Sequence, residues 1–350
     1  MYNHLKRSLV EHKRPNHANR LIKLSNKRIS VTINLNGGFV MQIKNILVAG
    51  EYKELFQNQL LTEDSQNFRF IPVDEITIED LTWACAYVGF KPCPDFNLTN
   101  LKWVHSFNAG VNNYLELEGW EENDVLLTRT ICSFGERISE YCLSYILKDL
   151  QFHTYFEAKQ KEKKWAQKTP KMVKDQTFVI FGTGEIGQAV AKTFNQFGAT
   201  VYGVSQSGKQ KSYFKSVVKT DVANSLVECA DWVISTLPLT TETEQLFNHE
   251  LFSHFNGAAF INVGRGATVD ETALIEGLNS GKIRYAVLDV LSTEPLAETS
   301  SLWRRNDLVI TPHISAVTDL NEAISCFHDT LRKIETNEPL LNKVTIHKGY

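Results

Sequence analysis

The sequence predicts an α/β protein built of two units, each around a parallel sheet. Three observations carry that reading. Short apolar runs alternate with helix-length segments from Met41 onward. In the second half these runs are continuously apolar, as in strands covered on both faces. The chain is 350 residues long, which favours two compact domains over one. With 43% apolar and 22% charged residues, 19 Gly and 9 Pro, the composition excludes collagen-like, mucin-like and largely disordered chains. No apolar run approaches the roughly 18–20 residues that cross a bilayer. A net charge of −3 argues against general nucleic-acid binding.

Residues 1–40 stand apart. They hold eight Lys or Arg against one acid, Glu11, a net +7 that leaves −10 on 41–350. They also lack the apolar stretch needed for a core, so disorder is expected there. A basic, acid-poor segment reads as a targeting peptide or a nucleic-acid tail. The preferred reading is that it is not translated. Gly37–Gly38 can be encoded as GGAGG shortly before an ATG at Met41, and a strand-like QIKNILVAG follows.

In the first half, strands are expected at 45–50, 68–71, 81–85 (LTWAC), 102–106 and 124–128, with a helix at 51–61. This is an open, mostly parallel, flavodoxin-like pattern. Ile138, Tyr141, Cys142, Tyr145 and Leu150 recur at helical spacing and predict a helix over 135–150. The polar, basic stretch 157–171 reads as a solvated helix-to-loop connection. Strands follow at 177–181, 200–204, 231–236, 258–263, 284–290 and 308–311, and a last helix at 318–337 is expected to pack back on the first half. The division is therefore 41–140 plus 318–350 for one domain and 141–317 for the other.

GTGEIG (Gly182, Thr183, Gly184, Glu185, Ile186, Gly187) matches GxGxxG between a strand and an amphipathic helix, the context of a Rossmann dinucleotide site. Gly182 allows the tight turn, Gly184 the approach of a pyrophosphate, and Gly187 close helix packing, with the phosphates on free N–H groups at the positive helix end. An NAD site has an acid after the next strand to hold the ribose 2′-OH. Here no acid occurs between Gly187 and Asp221, and Ser205, Gln206, Ser207 and Lys209 supply donors and charge. NADP(H) is therefore expected over NAD(H).

Three later strands each end in a reactive group: Arg265 in INVGRG, Asp289 and Glu294 in VLDVLSTEP, and His313 in VITPHISA. All fall on the carboxyl rim where open α/β sheets bind ligands. The set suits reduction of a 2-keto acid. Arg265 can grip the carboxylate and polarise the keto oxygen. His313 can donate the proton, and Glu294 can favour the imidazolium.

Together, GTGEIG, TLPLTTET, INVGRG, LDVLSTEPL and TPHISA resemble the D-isomer-specific 2-hydroxyacid dehydrogenases over about residues 45–340. The resemblance implies that Arg265, Glu294 and His313 are catalytic and that Asp289 contacts the nicotinamide carboxamide. It places Thr236, Leu237 and Pro238 beside the adenosine portion and Val263, Gly264, His313 and Ala316 along the cofactor. It assigns the substrate to Arg265, to backbone N–H groups near Val88, Gly89, Ala109 and Gly110, and to a loop tryptophan, Trp83. SEYCLSYIL, SLWRRNDLVITPH and the ending KGY look most like bacterial glyoxylate/hydroxypyruvate reductases, although Gln206 stands where that group has Arg. Alternatives are an NAD-dependent D-lactate- or phosphoglycerate-type dehydrogenase and a dinucleotide-sensing binding protein of corepressor type. The resemblance further implies a homodimer. Six cysteines without a CxxC pair or a signal sequence suggest reduced thiols in the cytoplasm and no metal site.

Overall fold

The computed structural model describes residues 32–33, 39–59 and 66–348. Thr32–Ile33 (β1) and Phe39–Val40 (β2) pair antiparallel, Thr32 opposite Val40. The rest of the basic extension, and the disorder expected for it, lie outside the described residues.

Two parallel sheets follow. The first contains Asn45–Ala49 (β3), Asn67–Ile71 (β4), Ala86–Gly89 (β5), Trp103–Ser106 (β6) and Leu126–Arg129 (β7), ordered β4-β3-β5-β6-β7. The second contains Thr177–Phe181 (β8), Thr200–Val204 (β9), Val217–Val218 (β10), Trp232–Ser235 (β11), Ala258–Asn262 (β12), Ile283–Leu288 (β13) and Leu308–Ile310 (β14). Its order is β10-β9-β8-β11-β12-β13-β14. The two-residue β10 was not expected from sequence. Both sheets reverse their winding direction, at β3/β5 and at β8/β11, and such switch points open a crevice at the strands' carboxyl ends.

Burial on both faces explains the continuous apolar runs. Phe178 and Ile180 pack with Val190 and Phe194, while the intervening Val179 and Phe181 pack with Phe247 and Phe255. In the first sheet, Ile46 and Val48 join Phe56 and Phe327, and Leu47 and Ala49 join Leu81 and Tyr114.

The expected strand at 81–85 is corrected. Ile78–Trp83 is a helix, started by a capping box in which Thr77 and Asp80 exchange side-chain and backbone hydrogen bonds. The strand is the next segment, Ala86–Gly89, with all four residues buried. Apolar content alone could not place this boundary; the TIED cap could have.

The chain crosses between sheets twice. Helix Phe134–Leu150 buries Ile138, Cys142, Ile146 and Leu150 against the second sheet's core. Helix Leu320–Thr336, capped by Asp319, returns Ala323, Phe327 and Leu331 to the first. There Phe327 stacks on Trp103 with ring centroids 5.2 Å apart. The chain then runs along β7, where the Val344 amide donates to the Leu127 carbonyl at 2.9 Å.

Candidate active site

At the end of β8, Gly182 adopts φ +96°, a left-handed value that turns the chain into helix Glu185–Gln196. A Cβ on Gly187 would stand 1.9 Å from the Gly182 carbonyl oxygen, so only glycine lets the helix sit this close. Thr236, just past β11, ties the turn to the neighbouring strand. Its Oγ1 donates to the carbonyls of Phe181 (3.1 Å) and Gly182 (3.2 Å). No side chain caps the helix, and a Cβ on Gly184 would meet nothing within 4 Å. Free N–H groups therefore face open space at the positive helix end, which fits a dinucleotide pyrophosphate. Glu185 is exposed, Thr183 is buried, and Ile186 packs on the core beneath.

Beyond β9 the loop turns at Gly208, whose amide donates to Ser205 Oγ at 3.2 Å. The Lys209 amide donates to Ser207 Oγ at 3.3 Å. Gln206, Ser207 and Lys209 are exposed on this turn. The turn lies next to the glycine loop, since β9 pairs with β8 and Phe181 stands opposite Val204.

The three reactive groups leave three adjacent strands at one level. Asn262 at the end of β12 pairs with Leu288 of β13, and Leu288 pairs with Ile310 of β14. The Arg265 loop is fixed by Asn262, whose Nδ2 donates to the Arg265 carbonyl (3.1 Å) and whose Oδ1 accepts from the Gly264 amide (3.1 Å). A Cβ on Gly264 would reach the Leu237 amide nitrogen at 2.7 Å, which places this loop against the Thr236–Pro238 turn. Contact therefore runs unbroken from Gly182 through Thr236 to Gly264 and Arg265. Val263 and Leu237 are buried beneath, and Pro238 is exposed.

Asp289 is buried and its carboxylate accepts three donors: Thr311 Oγ1 at 2.6 Å and the Ile314 and Ser315 amides, each at 2.8 Å. Because Thr311 spends its only proton on the carboxylate, Tyr141 donates to Thr311 Oγ1 at 2.5 Å. This network organises the histidine loop. His313 itself adopts φ +55°, an uncommon left-handed value for a residue with a Cβ, and its amide donates to the Asp289 carbonyl at 2.9 Å. Its Nδ1 lies 2.9 Å from Glu294 Oε2. Glu294 Oε1 accepts from the Leu291 amide at 2.9 Å. Ala316, three residues on, packs on the core.

The first sheet meets this rim from the opposite side. The Arg265 guanidinium lies against Gly110, where an added Cβ would be 2.1 Å from Nη2. Arg265 Nε donates to Asn112 Oδ1 at 3.4 Å and Nη1 to the Gly264 carbonyl at 2.7 Å. Thr318 Oγ1 donates to Asn108 Oδ1 at 3.3 Å. Val88 and Gly89 are buried at the end of β5, with the Gly89 carbonyl taken by Tyr114 Oη at 2.9 Å. Ala109 and Gly110 are partly exposed.

Trp83 is not part of this assembly. It precedes β5, its carbonyl accepts from Asn45 Nδ2 at the start of β3, and Arg69 covers its ring at 4.1 Å. It therefore lies at the amino ends of the strands, the opposite edge from Gly110 and Arg265. The resemblance puts it in the substrate loop, whereas here it sits at the amino edge of the sheet with its carbonyl on Asn45. Conversely, sequence reasoning missed Asn112, Asn262, Thr311 and Arg129. Arg129 ends β7, the same position that singled out the other three groups, and its Nη1 donates to the Ala109 carbonyl at 3.4 Å.

A family model described as D-isomer specific 2-hydroxyacid dehydrogenase, NAD binding domain, matches residues 143–315. A glyoxylate/hydroxypyruvate reductase A of Serratia proteamaculans (strain 568) is 30% identical over 260 residues, 73% of this chain and 83% of the relative. The chain belongs to the D-isomer specific 2-hydroxyacid dehydrogenases. It is thus an NAD(P)-dependent oxidoreductase. Solved members of the family share the fold over both sheets. The enzyme of Xanthobacter autotrophicus Py2, in complex with NADPH and MES, superimposes with a TM-score of 0.79 at 28% identity, covering 88% of this chain and all of its own. An NADPH-dependent glyoxylate/hydroxypyruvate reductase of Sinorhizobium meliloti, in complex with NADP and sulfate, gives 0.76 at 28% identity with the same coverage. Among the described residues of this dehydrogenase, no helix is long and apolar enough to cross a membrane.

Proposed function

We propose that this dehydrogenase uses NADPH to reduce small 2-keto acids of the glyoxylate and hydroxypyruvate class to 2-hydroxy acids. The observation that carries the reading is the His313–Glu294 pair, 2.9 Å apart, on the loops after β14 and β13, beside the β12 loop that carries Arg265.

When bound, the nicotinamide supplies the hydride that reaches the keto carbon. Arg265 holds the substrate carboxylate and leans on the keto oxygen, where negative charge grows. Backbone amides at Val88–Gly89 and Ala109–Gly110 complete the carboxylate's shell. Because Glu294 occupies Nδ1, His313 presents Nε2 to the cleft, and from there it gives one proton to the forming alkoxide. The Glu294 carboxylate, facing Nδ1, fixes the ring's orientation. In the reverse direction the same nitrogen takes the proton back. Asp289 sets the histidine loop, and by the family resemblance it would hold the nicotinamide carboxamide when the cofactor is bound.

The preference for NADP rests on the turn after β9. A carboxylate there would repel a 2′-phosphate, whereas Ser205, Ser207 and Lys209 offer hydroxyls and a positive charge. Two similar structures were solved with NADPH or NADP. The nucleotide portion is taken as 141–317, the substrate portion as 41–140 with 318–350, and the working form as a cytoplasmic homodimer.

The test mixes purified protein, NADPH and a 2-keto-acid panel led by glyoxylate and follows loss of the reduced cofactor's absorbance. Turnover that favours NADPH over NADH is expected. NADPH binding without turnover of any keto acid would overturn the reading in favour of a dinucleotide-sensing module. Light scattering checks the dimer.

A further inference from the structure

We propose that Arg129 and Arg265 together form a two-cation anion site, so that the cleft takes a 2-keto acid bearing a second acidic group, of the short 2-ketodicarboxylate class. The inference rests on the reading of Arg265 as the carboxylate's partner and adds a residue and a substrate class to it.

The two guanidiniums come from different sheets and meet at one turn. Arg129 closes β7 and points Nη1 at the Ala109 carbonyl, 3.4 Å away. Arg265 leaves β12 and lays Nη2 against Gly110, the next residue. Neither is a loosely held surface group. The Arg129 backbone is clamped on both sides by Asn342, whose carbonyl accepts from the Arg129 amide (3.1 Å) and whose Nδ2 donates to the Arg129 carbonyl (2.9 Å). The Arg265 backbone is held by Asn262 and by Thr268, whose Oγ1 donates to the Arg265 carbonyl at 2.7 Å.

Their charges are uncompensated. Among the described residues Arg69, Arg137, Arg284, Arg305 and Arg332 pair with carboxylates, whereas neither Arg129 nor Arg265 has one within ion-pairing distance. Burial holds the Arg265 guanidinium below its ordinary range. The more distant Glu294 pulls it back up, and the charge of Arg129 pushes it further down. Two like charges facing each other across a partly desolvated turn are unfavourable until an anion arrives. A monoanion such as glyoxylate neutralises one of them; a dianion with its acid groups a short carbon chain apart neutralises both. The Ala109 contact uses only one of the five N–H groups of Arg129, so the rest remain for a ligand.

The experiment compares kcat/KM for oxaloacetate and for glyoxylate, with NADPH, in the wild type, Arg129→Met and Arg129→Lys. In parallel, calorimetry on the NADP-loaded protein compares malonate with acetate. Arg129→Met is expected to lower the oxaloacetate-to-glyoxylate ratio by about tenfold or more, mostly through KM. It should weaken malonate more than acetate, and the lysine variant should recover part of both. Equal loss on both substrates, or no change in the ratio, would overturn the proposal, because support of the Ala109 turn does not distinguish one acid group from two. If the wild type reduces no keto acid yet binds malonate in an Arg129-dependent way, the reductase reading falls and the two-cation site stands. Turnover with no selective effect of Arg129 on dianions removes the two-cation site and leaves the reductase intact.

Discussion

Glu294 grips His313 with one carboxylate oxygen and its own loop with the other, Oε2 facing His313 Nδ1 and Oε1 taking the Leu291 amide, both at 2.9 Å. A glutamine would keep the shape and remove the charge that faces the imidazolium. Glu294→Gln should therefore lower kcat by about 10²-fold with little change in thermal stability, while His313→Ala should lower it by roughly 10²–10⁴. Stopped-flow and steady-state rates with the best keto acid check both. Near-normal kcat in either variant would remove the residue from the proton path.

Asp289 is a harsher position. Its two oxygens accept a hydroxyl and two amides, all donors, so an asparagine must aim its own N–H groups at one of them. Asp289→Asn is expected to cost about 2–3 kcal/mol of stability and to reduce kcat as well, since the left-handed backbone of His313 depends on this network. Denaturant unfolding and kinetics on the same preparation measure the two losses. A variant as stable as the parent would mean that the loop holds its shape without the carboxylate.

The turn after β9 gives a prediction on cofactor choice. Lys209→Glu turns an exposed positive charge into a negative one beside the expected 2′-phosphate position. The kcat/KM for NADPH should drop about tenfold and that for NADH should change much less. An equal effect on the two cofactors would place Lys209 away from the ribose.

A fourth prediction concerns acid. His105 is fully buried on β6, and burial pushes its imidazole down from 6.5 to about 3. Trp103 Nε1 donates to Thr128 Oγ1, which leaves the Thr128 proton for His105 Nδ1, both contacts at 2.8 Å. The unfolded chain takes up a proton below about 6.5 that the folded chain refuses until about 3. The stability tied to this neutral ring is thus complete above pH 6.5 and drains away as pH falls through that window. By pH 4.5 the loss is on the order of 2 kcal/mol. His105→Asn should start less stable at pH 7 but lose about that much less between pH 7 and 4.5 in urea unfolding. A parallel decline in both proteins would exclude His105 as the source.

The strands of the second sheet were legible because each is buried on both faces, which leaves a run such as TFVIF with no polar break. The positions of Arg265, Glu294 and His313 were legible for a related reason: a charged residue just past such a run must lie on the rim. The strand expected at LTWAC was misplaced because that run is equally apolar as the flank of a helix, and only Thr77 and Asp80 mark the difference; the substrate role of Trp83 came from the resemblance alone. Arg129 passed unnoticed beside an obvious strand because its importance lies in another residue's position. Nothing in the local sequence says that a guanidinium from β12 approaches the same turn. The Asp289 network was invisible for the same reason, since three of its members are backbone amides or a hydroxyl brought in by folding.

Asn342 clasps the backbone of Arg129 from a segment more than two hundred residues away, and Val344 extends the grip to Leu127. The segment carrying Asn342 and Val344 thereby holds the strand from which Arg129 reaches the proposed substrate site. Substitutions at Asn342 or Val344 would loosen an outer strand and reach the proposed site indirectly, altering affinity without touching any residue proposed to meet the substrate.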